Sequence, residues 1–188
     1  MKTYSKTYRI IHWSIAIAML LLLITIFLRS TWLNKYNVAE ILESFLNKEE
    51  TVITHEQAIK LAKSIRKPMW NWHIYLGYLL TGLFAIRFAL PVFGEMKFQN
   101  PLDKNTTPKD KFKAWTYIIF YICITASLVT GLLIVFGPKS IHHLMEEIHV
   151  LSIYYFIAYL VLHYAGVLLA EFKDEKGIIS RIISGGKK

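Results

Sequence analysis

The chain has 188 residues, 54% of them hydrophobic and 14% aromatic, with a formal net charge of +9. Its mean hydropathy of +0.37 is too high for an ordinary soluble domain, and its bases flank long apolar runs. That placement excludes a nucleic-acid-binding reading and points to a lipid bilayer, where flanking bases set orientation.

Four segments are long enough to span: Ile10–Leu28, His73–Phe93, Trp115–Phe136 and His149–Ala170. Each approaches the ~20 apolar residues that a helix needs to cross the hydrocarbon core. They predict an all-α fold, an integral membrane four-helix bundle forming a single domain over residues 1–188. The first segment is long for the apolar region of a signal peptide and no small-residue cleavage site follows it. It reads as a true first helix.

Between the first two spans, residues 29–72 have helical texture of their own. Val38, Ile41, Leu42 and Phe45 fall on one stripe, and Thr54-His55-Glu56-Gln57 has the form of a capping box. The second helix would present Ala58, Leu61, Ala62 and Ile65 and end at Pro68. Trp70 and Trp72 then mark a membrane interface. The expectation is a short helical cap on the outer surface, with no independent core.

The second connection, Gly94–Lys113, reads as a plain polar loop. The third is a Gly137-Pro138-Lys139 turn followed by one or two helical turns over Ser140–Glu147. The tail, about 174–188, carries Ile178, Ile179, Ile182 and Ile183 with Arg181, a pattern suited to a helix lying in the inner interface.

Charge sets the topology. The N-terminal arm (Lys2, Lys6, Arg9), the second connection (Lys97, Lys104, Lys109, Lys111, Lys113) and the tail (Lys173, Lys176, Arg181, Lys187, Lys188) hold thirteen Lys and Arg. The other two connections hold eight, of which seven lie in the first and are diluted there by five acids. Both termini are therefore expected in the cytoplasm.

Four histidines, His12, His73, His149 and His163, lie inside or at the ends of these apolar stretches. An ionisable or ligating group at membrane depth is expensive to bury without a function. His149 and His163 are fourteen residues apart, which on one continuous helix puts them on one face about 21 Å apart along the axis. With cytoplasmic termini, His12 falls near the inner surface and His73 near the outer. His149 is then outer and His163 inner. The four sort into two layers, His12 with His163 and His73 with His149, as two stacked bis-imidazole haems require. Such ligation fills both axial positions and suits pure electron transfer.

Other readings of the histidines are interhelical hydrogen bonding and metal transport. A transporter would be expected to mix carboxylates or thiolates among its ligands, and the spans contain only the boundary acid Glu171. The single cysteine, Cys123, reads as a packing residue, and no C-x-x-C-H motif is present, so any haem is non-covalent b-type. Arg87, fourteen residues after His73, and Arg9, three before His12, are candidate propionate partners. Gly77, Gly82, Gly131 and Gly166 admit either a flat macrocycle or ordinary helix packing. His55 reads as a surface residue, and His142 and His143 with Glu146 and Glu147 as a solvated turn or an external metal or partner site.

At Tyr8-Arg9-Ile10-Ile11-His12-Trp13, His73-Ile74-Tyr75-Leu76-Gly77 and the His149/His163 pair, the chain resembles the bacterial cytochrome b561 family. That family lies within the superfamily that includes the b-type subunit of nickel–iron hydrogenases. Lys173-Asp174 and Arg181-Ile182-Ile183 also resemble the family's C-terminal segment. The resemblance implies a multi-pass protein of the bacterial inner membrane, with two haems b ligated by the four histidines in the pairing above. It further implies electron transfer between the quinone pool and an outer-face redox partner. Some members are similar to superoxide:quinone oxidoreductases. A haem-containing anchor subunit of a periplasmic redox enzyme is a third reading. The first connection here is longer than in compact members, which leaves room for a protein partner.

Overall fold

The computed structural model describes residues 4–174 and 176–185. Lys2, Lys187 and Lys188, counted above among the inner bases, lie outside the described residues, as does the end of the expected tail segment. Among the described residues the chain is all helical, with no strand. Its helices are α1 (Lys6–Ser30), α2 (Lys35–Lys48), α3 (His55–Ala89), α4 (Pro108–Phe136), α5 (His142–Val150), α6 (Ser152–Leu169) and α7 (Ile178–Ser184). Four candidate spans result: Lys6–Ser30, His55–Phe93, Pro108–Phe136 and Lys139–Lys173.

Two compact units are distinguished, one comprising His12–Ala85 and the other Met1–Ile11 with Ile86–Lys188. In the first, α2 starts where the Asn34 side chain accepts from the Tyr36 amide. The capping box before α3 is reciprocal: the Thr54 amide donates to Gln57 Oε1 at 2.9 Å and the Gln57 amide to Thr54 Oγ1 at 3.2 Å. Ala39, Ala58 and Ala62 are fully buried, flanked by Val38, Leu42, Ile53 and Ile59. Three alanines let α2 and α3 approach closely, so the cap has a small core that the sequence reading had denied it.

Pro68 does not end the helix. α3 runs unbroken for 35 residues, with Pro68 inside it. Proline removes one backbone donor and crowds the carbonyl four residues back, at a cost of ~3 kcal/mol. The helix is held on both sides of that point, by Ala58 and Ala62 against α2 and by Trp70 and His73 against α1. Packing at both ends outweighs the local penalty. Cap helix and second span are one rod, about 52 Å long.

In the other unit, Thr107 caps α4: its Oγ1 accepts from the Asp110 amide at 3.2 Å and donates to Asp110 Oδ2 at 2.7 Å. Gly94, at φ +83°, closes the short 3₁₀ turn after α3 in a conformation that disfavours any side chain. The fourth span is not one continuous α-helix. α5 ends at Val150 and α6 begins at Ser152, across a tight turn in which the Leu151 amide donates to the Ile148 carbonyl at 3.2 Å. The relative facing of His149 and His163 is therefore set by this turn as well as by α-helical phase. α4 packs against both α5 and α6.

Candidate functional site

The two units contribute the histidines separately. In the first, Nδ1 of His73 lies 2.8 Å from Thr25 Oγ1. The Thr25 hydroxyl donates its only proton to the Leu22 carbonyl at 2.6 Å, so it must accept from His73. That fixes the tautomer: Nδ1 carries the proton and Nε2 the lone pair. The Trp70 indole lies flat on the same imidazole, with centroids 4.5 Å apart and planes 3° apart. His12 sits in an early turn of α1, with the Trp13 ring edge-on at 5.7 Å.

In the second unit, Nδ1 of His149 is 3.0 Å from the Ser127 carbonyl and 3.2 Å from Thr130 Oγ1. A carbonyl only accepts, so His149 too carries its proton on Nδ1. Gly131 makes the approach possible, because a Cβ there would stand 3.0 Å from His149 Cε1. The sequence reading left Gly131 to a macrocycle or to ordinary helix packing; in this unit it makes room for the imidazole. Ser127 Oγ is further bonded to Ser152 Oγ and, at 2.6 Å, to Tyr155 OH, which ties α4 to the start of α6. His163 stacks on Tyr159 at 5.5 Å, and Tyr159 stacks on Phe120 of α4 at 3.6 Å. One helix, α4, thus backs both histidines of this unit.

Arg87 is 6% exposed. Its Nε donates to Tyr121 OH at 3.0 Å, and its guanidinium lies 4.5 Å from the Phe98 ring and 5.1 Å from the Tyr121 ring. Its Nη1 is buried and has no partner. Arg9 donates through Nη1 to the Ile183 carbonyl at 2.9 Å, gripping the end of α7, while its buried Nε has no partner. A buried guanidinium with an unmet donor fits an oxyanion such as a propionate.

His55 pairs with Glu43 at 2.7 Å and is exposed, as the sequence reading expected. His143 faces Glu147 at 3.5 Å, and both side chains are largely exposed. Among the described residues, no three His, Cys, Asp or Glu side chains converge as metal donors.

Residues 3–185 match the family model of the prokaryotic cytochrome b561. The chain belongs to that family. No curated protein and no solved structure matches it. As a cytochrome b561-family protein it is a membrane electron-transfer protein whose family implies haem b. Thr25 and Ser127, which hold its histidines, were not picked out from sequence, and Trp70 was read only as an interface marker. The available signal was a hydroxyl near a histidine's depth on another span, and an aromatic one turn before a histidine.

Proposed function

We propose that this protein binds two haems b through His12, His73, His149 and His163, paired by depth as the order of crossings predicts. It carries electrons between the quinone pool and a redox partner at the outer face of the bacterial inner membrane, with both termini cytoplasmic. The observation that carries the reading is the shared state of His73 and His149. In each, Nδ1–H is committed to a protein acceptor, which presents Nε2 as the coordinating atom. A bound haem would supply a one-electron couple. The chain's own residues orient the imidazoles, exclude oxygen from the metal and neutralise propionates. Arg87 and Arg9, each with an unmet buried donor, suit that last role at the inner end.

A second reading, an anchor subunit for a periplasmic redox enzyme, is favoured by the cap. There α2 leaves Tyr36, Ile41 and Phe45 exposed, a surface suited to a protein rather than to a small donor such as superoxide.

Haem quantification on purified protein, with each histidine replaced by alanine in turn, tests the main reading. The expected result is two haems per chain, both released by acid-acetone. His12→Ala and His163→Ala should lose one haem, and His73→Ala and His149→Ala the other. A single haem per chain, or His12→Ala and His149→Ala losing the same one, would overturn it.

A further inference from the structure

α1 and α3 meet along two rungs. The first is Thr25 with His73. The second lies four residues later on α1 and three earlier on α3, where the Arg29 guanidinium sits 4.1 Å over the Trp70 ring. Trp70 in turn lies flat on His73 at 4.5 Å. The imidazole and indole are parallel, 3° apart, and the guanidinium sits over the indole ring. Arg66, four residues before Trp70, lies within electrostatic range of Arg29, and neither arginine has an ion-pair partner among the described residues. Two guanidiniums within electrostatic range of each other and without a carboxylate repel, so the pair calls for an anion. Stabilising the α1 C-terminus would need only a cation there; its placement over Trp70, itself stacked on His73, points to a further role.

Coordination supplies one. If His73 holds a haem, a cation carried beside its imidazole by Trp70 would stand within reach of that haem's propionate carboxylates. We propose that Arg29, held over the Trp70 ring and within electrostatic range of Arg66, binds a propionate of the haem whose iron His73 ligates. This rests on the reading of His73 as a ligand.

The test uses purified protein with haem carrying ¹³C at the propionate carboxyls, read by redox titration and redox-difference infrared spectroscopy. Arg29→Gln should keep both haems, move the labelled carboxylate band and lower the midpoint of the outer haem. Loss of a nearby cation favours the oxidised form. A tenfold change in the oxidised-to-reduced ratio, about 59 mV, is expected, with the inner midpoint unmoved. Trp70→Leu, which keeps the charge but removes the stack, should also move the band, and Trp70→Phe should restore it. If Arg29→Gln fails to hold haem, Arg29→Lys and Trp70→Leu decide the matter, because either must move the labelled band. An unmoved band, a midpoint shift equal at both haems, or a shift that follows lipid composition would overturn the proposal; the last would assign Arg29 to a headgroup phosphate. His73→Ala is read separately, since retention of both haems there would remove the ligand assignment whatever Arg29 does.

Discussion

Thr25 and His73 are joined by a 2.8 Å hydrogen bond whose direction is fixed, because the Thr25 proton is already given to Leu22. One hydroxyl of α1 thereby fixes the tautomer of a histidine 48 residues away and leaves the lone pair on its Nε2.

Thr25→Val keeps the shape of the side chain and deletes the acceptor. Haem affinity at the His73 site should fall about 10–100-fold, the usual cost of losing such a supporting contact, and Thr25→Ser should retain most of it. Haem titration resolved by the two α-band components checks this. Unchanged loading in Thr25→Val would mean that the tautomer is set elsewhere.

Gly131→Ala places a methyl 3.0 Å from His149 Cε1. The imidazole must retreat by a few tenths of an ångström or α4 must shift. Occupancy of the haem held by His149 should drop, with the other haem retained and helix content by circular dichroism unchanged. Equal loss of both haems would point to general unfolding instead.

Arg87→Gln should lower the inner-haem midpoint and leave the outer one in place, since a guanidinium beside a propionate favours the reduced form. Redox titration with the haems assigned through the ligand variants measures it. Tyr121→Phe leaves the Arg87 Nε without its acceptor and should cost about 1–3 kcal/mol of stability in detergent. A neutral Tyr121→Phe would show that Arg87 finds another acceptor readily.

Pro68→Ala should raise stability by up to ~3 kcal/mol, because it restores a backbone donor inside a continuous helix. Thermal unfolding followed by circular dichroism reports it. A lower melting temperature would mean that the proline's shape is used.

The spans were legible because a bilayer imposes length and composition directly on the chain. Gly131 was noticed, but for a different contact. The end expected at Pro68 failed because the local cost of one proline is set against packing of Ala58, Ala62, Trp70 and His73, which sequence does not show. The tight turn at Leu151 carries no glycine or proline, and its hydroxyl links through Ser127 and Ser152 are tertiary. Thr25 was hidden because a threonine in an apolar helix ordinarily bonds its own backbone, as Thr25 also does.

The unbroken course of α3 makes the cap and His73 share one angular phase. Each residue inserted or deleted between Ala62 and Trp70 would turn the alanine face that grips α2 by about 100° relative to the imidazole. A change of seven residues would bring the two back to within about 20°. Length variation in this stretch is thus constrained to whole turns, as in a screw thread, and a homologue that changes it by two or three residues would have to carry its cap on a different side of the same histidine.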